Sequence, residues 1–169
     1  AGIILITIFI LIITQTYQVG DAIHHGVFQV VSIATTTGFA TADFSIWPSL
    51  LPMLIFLAAF IGGCAGSTGG GMKVMRVMLI CKQGLREIQR LIHPAAVIQV
   101  KLGQKQVGDR AIEAVWGFFA VYILTFMMLL MALLATNLDF VTAFSAVAAC
   151  LNNLGPGLGE VTGNYGGIP

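Results

Sequence analysis

The sequence predicts an all-α membrane protein built from a repeated unit of a span, a short re-entrant helix and a second span. Three observations predict it: few charges, apolar runs of membrane length, and one pattern that occurs twice. Of the 169 residues, 57% are apolar and only 9% are charged. Soluble domains carry roughly a quarter of their residues as charges. A soluble protein with an unusually apolar core is therefore the weaker alternative, and lipid must solvate much of this chain.

Three apolar runs supply the predicted spans, at about residues 2–17, 49–81 and 111–136. A span needs about 20 residues, so the second run is too long for one straight helix. It is interrupted at 62–71, where six of ten residues are glycine. Each glycine costs about 1 kcal/mol relative to alanine in a helix, so the second span should be broken there. Because residue 1 already lies in an apolar run without a basic start, we expect a longer protein and not a signal peptide.

The basic residues are confined to one part of the chain. All eight Lys and Arg lie between Lys73 and Arg110. Loops rich in Lys and Arg stay in the cytoplasm. We therefore predict a first unit at 1–81, a cytoplasmic basic connector at 82–110, and a second unit at 111–169 that lacks its last span. Nucleic-acid binding by the basic stretch fits poorly, because two membrane-length runs flank it.

Two segments, 21–48 and 139–169, do not fit an ordinary loop. Each opens with about a dozen apolar or small residues, too few to cross a bilayer, and then reaches a glycine-containing turn. The sequence Ser32–Phe39 aligns with Ala149–Pro156. An aspartate stands near the start of each segment, where the helix dipole favours a negative charge. A short helix with an irregular return predicts a re-entrant pore loop in both places.

The turns of these loops hold the candidate cation ligands. A dehydrated cation needs a ring of oxygens, which backbone carbonyls and Thr hydroxyls supply without a fixed charge. Gly38 would turn the backbone so that successive carbonyls point one way, since glycine tolerates positive φ. A simple polar turn is the alternative. The candidate residues are Thr35, Thr36, Thr37, Gly38 and Phe39 in the first loop and Asn152, Asn153, Leu154 and Gly155 in the second.

These turns, together with residues 62–73, resemble the Trk/Ktr/HKT superfamily of potassium transporters, and most closely the membrane subunit of bacterial Trk systems. The resemblance covers essentially the whole chain. It implies four span–pore helix–span units around one potassium-channel-like pore, and this chain is similar to most of units three and four. Gly38 and Gly155 match the filter glycines, whereas Pro156, in place of the aromatic Phe39, departs from the pattern. The candidate K⁺ ligands are Thr36, Thr37, Asn153 and Leu154.

The resemblance also implies what the complete protein does. It would take up potassium across the bacterial inner membrane as a multi-pass channel or symporter, and it would not be an enzyme. The implied partners are membrane lipid, a second copy of the protein in a homodimer, and a cytosolic nucleotide-binding regulatory subunit of the RCK type, with no nucleic acid. No covalently bound cofactor is expected, and K⁺ is the transported ion.

The glycine-rich stretch allows three interpretations. Gly62–Gly66 fits a G-x-C-x-G nucleophile elbow, but no strand precedes it. Gly69–Lys73 resembles a phosphate loop, yet Met72 stands where that motif has glycine. Irregular backbone at membrane depth is tolerated only against protein or a watery cavity, which favours a loop lining the conduction path, and the resemblance implies that it obstructs the pore. The predicted gate residues are Gly62, Gly63, Gly66, Ser67, Thr68, Gly69, Gly70, Gly71 and Lys73.

Two other functions stay open at this point. One is a broken-helix secondary transporter of another solute. The other, less favoured, is an intramembrane enzyme, for which the spans offer no His and only one carboxylate, Glu113, at the cytoplasmic edge of the third span. Cys64, Cys81 and Cys150 are far apart, so we expect small core residues and not a disulfide framework or a zinc site.

Overall fold

The computed structural model describes residues 2–48, 50–94, 98–103, 105–161 and 166, and it is helical. The helices of these ranges are α1 (Gly2–Ile13), α2 (Val19–Ala34), α3 (Leu50–Ile61), α4 (Val74–Ile92), α5 (Asp109–Leu134) and α6 (Phe140–Leu151). Two short strands, β1 (Lys101–Leu102) and β2 (Lys105–Gln106), pair antiparallel between α4 and α5. Single 3₁₀ turns lie at Phe44–Ile46 and Gly159–Val161.

Helix lengths separate one membrane-length helix from three short apolar ones. With 26 residues, α5 is long and apolar enough to cross a bilayer, judged by length and composition. The helices α1, α3 and α6 have 12 residues each. At 1.5 Å per residue, such a helix extends only about 18 Å. The surface of α5 carries large exposed apolar side chains, as expected of a helix that lipid solvates: Val121, Leu124, Met128 and Met131.

The chain reverses between α1 and α2, and between α5 and α6, through residues in the left-handed conformation. Gln15 has φ 53° in the first reversal and Asn137 has φ 62° in the second. The following helix α6 is capped by Asp139, whose Oδ2 accepts a hydrogen bond from the Val141 N–H at 3.1 Å. In α2 the acidic residue, Asp21, lies within the first turn. Each short helix therefore packs back against the helix that precedes it.

An aromatic cluster ties the first half of the chain to the second. The ring of Phe60 on α3 lies 5.8 Å from Phe126 on α5 and 6.3 Å from Phe144 on α6. Phe126 and Phe144 are themselves 5.3 Å apart, edge to face. Such pairs contribute about 0.5–1.5 kcal/mol beyond their buried area. The cluster continues into one buried apolar core that draws on α1, α2, α3, α5 and α6.

The helix α4 runs across the predicted boundary between the broken span and the basic connector. The span was predicted at 49–81 and the connector at 82–110, and α4 continues to Ile92. Its last half is amphipathic: Arg86 is 9% exposed and its Nη1 donates to Asp109 Oδ1 at 3.1 Å. Hydropathy alone cannot mark the end of a helix whose polar face packs against a connector. The helix ends before His93-Pro94, because proline disfavours helical conformation in the preceding residue.

The cysteines also differ from expectation. All three thiols are free, and they are exposed in this chain where buried positions were predicted. Cys64 lies in the glycine-rich loop, Cys81 on the outer face of α4, and Cys150 on the last turn of α6. Small apolar-looking residues in a membrane sequence can face outward as readily as inward, so their type does not predict burial here.

Candidate ion-conduction site

The two turns that follow α2 and α6 have the same backbone. Thr36 has φ 55° and Asn153 has φ 51°, both left-handed although neither residue is glycine. Two residues later, Gly38 has φ 82° and Gly155 has φ 95°. Non-glycine residues rarely adopt positive φ, so the recurrence of this pattern at equivalent places is a specific feature of both turns.

Matching hydrogen bonds close the two short helices. The Thr37 N–H donates to Ser32 O at 2.8 Å, and the Leu154 N–H donates to Ala149 O at 2.8 Å. In both, the third residue beyond the last helical residue donates back across the last turn, the arrangement that accompanies a left-handed helix cap. The structure thus has the register in which the sequence aligned Ser32–Phe39 with Ala149–Pro156.

The extended segment that follows each turn is hydrogen-bonded to a buried polar side chain of the short helix before it. In the first unit Gln29 Oε1 accepts from the Thr41 N–H at 3.4 Å, and Ser32 Oγ donates to Phe39 O at 2.5 Å. In the second unit Ser145 Oγ accepts from the Leu158 N–H at 2.9 Å. Different residues therefore do the same work three residues after the glycine of each turn.

The two turns lie against each other. A Cβ on Gly38 would stand 2.1 Å from Leu154 O and 3.2 Å from Pro156 Cδ. Gly38 is therefore required twice, for its positive φ and for the close approach of the Leu154 carbonyl. A Cβ on Gly155 would meet nothing within 4 Å, so only its φ requires glycine. Asn153 and Gly155 line an open cavity of about 450 Å³.

The side chains predicted as cation ligands are placed unequally. Thr37 and Asn153 are exposed, whereas Leu154 is buried and Thr36 nearly so. Thr37 Oγ1 lies 2.8 Å from Thr35 Oγ1, and Phe39, at 72% exposure, projects away from the core. Any cation held by these turns would rest on carbonyl and hydroxyl oxygens. Among the described residues no group of three or more His, Cys, Asp and Glu could hold a metal ion.

The glycine-rich loop between α3 and α4 has a closed base. The Met72 N–H donates to Phe60 O at 3.0 Å, which joins the end of the loop to its beginning. Gly62 and Gly71 both have positive φ, 68° and 76°. A Cβ on Gly71 would lie 2.7 Å from Ala59 O, and one on Gly62 would lie 2.3 Å from Gly70 O. Glycine at the base permits close backbone packing.

Residues 69 and 70 of this loop pack against the ends of both short helices. The Gly70 N–H donates to Thr36 Oγ1 at 2.7 Å. A Cβ on Gly70 would lie 1.6 Å from Asn152 O, and one on Gly69 would lie 3.0 Å from Thr35 O. The predicted gate and the two predicted filter turns are therefore in direct contact, and side chains at these glycines would prevent it.

The tip of the loop is exposed. Ser67 forms a turn with Cys64, through its N–H to Cys64 O at 3.1 Å and its Oγ to the same oxygen at 2.8 Å. Gly66 has φ 81°, and a Cβ there would meet nothing within 4 Å. Thr68 is exposed as well. A Cβ on Gly63 would lie 2.7 Å from Ser67 Oγ, so Gly63 leaves room for this turn.

Comparison with known proteins identifies this arrangement. The family model described as "TrkH: Cation transport protein" matches residues 3–165. The chain belongs to the TrkH family. The crystal structure of the potassium transporter TrkH from Vibrio parahaemolyticus matches this chain with a TM-score of 0.91 and 50% identity, covering 98% of this chain and 36% of that one.

Curated relatives agree with the family. The Trk system potassium uptake protein TrkH of Halomonas elongata is 57% identical over the whole chain, which spans 35% of that protein. The protein of the same name from Escherichia coli K12 is 54% identical over 85% of the chain and 30% of its own length. This chain thus spans about a third of the length of the curated relatives that it matches.

Family membership confirms two predictions. The fold is that of an all-α membrane protein with repeated pore-helix units. As TrkH-family proteins are multi-pass proteins of the inner membrane, the predicted location is confirmed with it. The relatives are named as potassium transporters and not as enzymes.

In this family member the structure assigns Asn152 a contact that the sequence did not suggest. Its side chain is fully buried, with Oδ1 accepting from Tyr122 OH at 2.8 Å and Nδ2 donating to Ala148 O at 2.8 Å. Asn152 was predicted as a residue of the filter turn, and in this arrangement its amide anchors that turn to α5. The sequence analysis did not single out Tyr122, Gln29 or Ser145. Each is a polar side chain within an apolar helix, and that pattern could have indicated a buried hydrogen bond.

Proposed function

We propose that the protein containing this chain takes up potassium across the bacterial inner membrane, with the turns after α2 and α6 as two segments of its selectivity filter. The observation that carries the proposal is the repeated backbone of the turns, with left-handed residues at Thr36 and Asn153 and glycines at 38 and 155. Relatives at 54–57% identity named as potassium uptake proteins support it.

In this proposal backbone carbonyls supply most of the ligands. K⁺ passes beside Thr36, Thr37, Asn153 and Leu154, and its lost hydration shell is replaced by their oxygens. Burial of the Leu154 side chain supports a role for its carbonyl. K⁺ is the transported substrate, and no covalently bound cofactor is required.

The glycine-rich loop is the proposed gate. Its residues 69 and 70 contact Thr35, Thr36 and Asn152, at the end of both turns where an ion leaving the filter would emerge. A loop in that position obstructs the path until residues 69 and 70 move away. Irregular backbone is tolerated at membrane depth only in such a setting, against protein or a watery cavity.

The proposed surroundings follow from charge and family. The basic residues from Lys73 to Arg110 face the cytoplasm, and lipid covers α5. The protein works as a homodimer with a cytosolic nucleotide-binding subunit of the RCK type, and it has no enzymatic activity. The exposed apolar side chains of α5 support the lipid assignment, and the eight basic residues gathered from Lys73 to Arg110 support the cytoplasmic one.

Flux measurements on the full-length protein in proteoliposomes test the proposal. Rubidium isotope uptake is compared with uptake of a panel of organic solutes, with protein-free liposomes as the control. Potassium transport predicts rubidium uptake that unlabelled potassium suppresses by competition. Uptake of an organic solute without rubidium would instead support a broken-helix secondary transporter and would refute the filter assignment.

A further inference from the structure

The side chain of Lys73 turns back into the glycine-rich loop. Its Nζ donates to Ser67 O at 2.9 Å and to Gly69 O, and it lies 3.3 Å from Ser67 Oγ. Three oxygens of one loop thus surround one ammonium group. Within the part of the chain that the structure describes, no carboxylate lies within 4.0 Å of Lys73 Nζ. Among the described residues, carbonyl and hydroxyl oxygens are the groups that accept from this ammonium.

The backbone of Lys73 is in an unfavourable conformation. It has φ 74° and ψ 133° at the N-cap of α4, where its side chain makes no capping hydrogen bond. This region suits glycine, and for other residues it costs on the order of 1–3 kcal/mol. Glycine would suit this backbone better, which points to a role for the lysine side chain.

Oxygens that hold an ammonium group are also suited to a permeant monovalent cation. Potassium filters use backbone carbonyls in place of water, and three donors of an ammonium group fit the same kind of ligand. The three oxygens around Lys73 Nζ adjoin the segment that contacts the filter turns. Gly69 O accepts from Lys73 Nζ, and the N–H of the next residue, Gly70, donates to Thr36 Oγ1. An ammonium here stands next to the proposed path of the ion.

We propose that Ser67 O, Ser67 Oγ and Gly69 O form a monovalent-cation site in the loop, and that the Lys73 ammonium fills it as a tethered cation. With the ammonium in place, the segment of Gly69 and Gly70 is held against both turns, and the positive charge repels a cation that leaves them. When the Lys73 ammonium moves away, the segment of Gly69 and Gly70 is released and the oxygens can bind a passing cation. This inference rests on the proposed function, because it needs a cation path at the turns.

Lys73→Met in the full-length protein removes the ammonium and keeps an unbranched side chain of similar length. A hydrogen bond to a charged group contributes about 1.4 kcal/mol or more. Losing it therefore shifts the equilibrium between the closed and the open loop about tenfold toward the open loop. We therefore expect rubidium uptake without the regulatory subunit to rise about tenfold. The matched control is Lys82→Met, which removes an equal charge on the same helix, where Nζ donates to Lys101 O, outside the loop. Its uptake should equal that of the wild type.

Chemical rescue separates a latch from a general effect of substitution. In a cysteine-free full-length background, Lys73→Cys should give the raised uptake, and aminoethylation of that cysteine restores an ammonium and should restore low uptake. Lys73→Gly, which suits φ 74°, gives the same prediction if the methionine variant fails to insert. An inserted Lys73→Met or Lys73→Gly protein with wild-type uptake would overturn the latch. Absence of rubidium uptake in the wild type would instead refute the proposed function itself.

Discussion

The hydroxyl of Thr36 belongs to two structures at once. Thr36 is a left-handed residue of the first turn, with φ 55°, and its Oγ1 accepts the hydrogen bond of the Gly70 N–H at 2.7 Å. If the loop moves, this oxygen is released toward the ion path and Gly70 loses its acceptor. This hydrogen bond joins the proposed gate to the proposed filter turn, and the Thr-Thr-Thr sequence alone did not reveal it.

Replacing Thr36 by valine tests that coupling. Valine has the shape and β-branching of threonine, so backbone strain is unchanged while the acceptor is lost. A buried donor without a partner costs about 1–3 kcal/mol, so the closed loop should be destabilised and basal rubidium uptake should rise several-fold. Thr36→Ser, which keeps the hydroxyl, is the control. Equal uptake in both variants would show that the Gly70 hydrogen bond does not hold the gate.

Tyr122 makes the other residue-scale prediction. Its OH donates to the fully buried Asn152 amide at 2.8 Å, so Tyr122→Phe leaves a buried acceptor with one partner fewer. We expect the full-length protein in detergent to lose about 1–3 kcal/mol of stability, seen as a lower thermal unfolding midpoint. Tyr17→Phe is the control, since Tyr17 OH accepts a longer hydrogen bond, from Trp47 Nε1 at 3.4 Å. Equal midpoints for both variants would contradict the anchoring role of Tyr122.

At the scale of elements, the glycine-rich loop combines a packed base and an exposed tip. Gly66 and Gly71 have nearly the same φ, 81° and 76°. They differ in surroundings, because a Cβ on Gly71 would lie 2.7 Å from Ala59 O and one on Gly66 would meet nothing within 4 Å. The pair therefore separates the cost of conformation from the cost of packing.

Gly66→Ala and Gly71→Ala should differ accordingly in thermal unfolding. Both lose stability through positive φ, by about 1 kcal/mol. Gly71→Ala also forces the loop away from α3 and should lower the midpoint further and impair insertion. A Gly71→Ala protein as stable as Gly66→Ala would mean that the base of the loop is not closely packed.

The sequence predicts some of these elements for a clear physical reason. The break after Ile61 follows from six glycines in ten residues, and the turns at Gly38 and Gly155 follow from glycine after a short apolar helix. The continuation of α4 to Ile92 could not be read from hydropathy, because that part of the helix is amphipathic. Lys73 was predicted as a gate residue, but its hydrogen bonds to the loop accompany a positive φ that residue type does not indicate.

At the scale of the whole molecule, the charge distribution predicts how the chain crosses the membrane. Seven of the eight basic residues precede α5 and the eighth, Arg110, lies in its first turn, whereas the reversal at Asn137 follows the helix. Cysteines introduced at the exposed positions Gln89 and Asn137 in a cysteine-free full-length protein should therefore react with impermeant reagents from opposite sides. Labelling of both from the periplasm would contradict the topology.

The central claim is that the two glycine turns form part of one potassium path, and the permeability ratio of potassium to sodium tests it most directly. The measurement compares full-length Gly38→Ser with Gly117→Ser, a control on α5 where a Cβ meets nothing within 4 Å. A side chain at Gly38 would collide with Leu154 O and oppose φ 82°, so the carbonyls of both turns should shift. We predict a markedly lower ratio for Gly38→Ser and an unchanged ratio for Gly117→Ser. An inserted Gly38→Ser protein with the wild-type ratio would contradict the account.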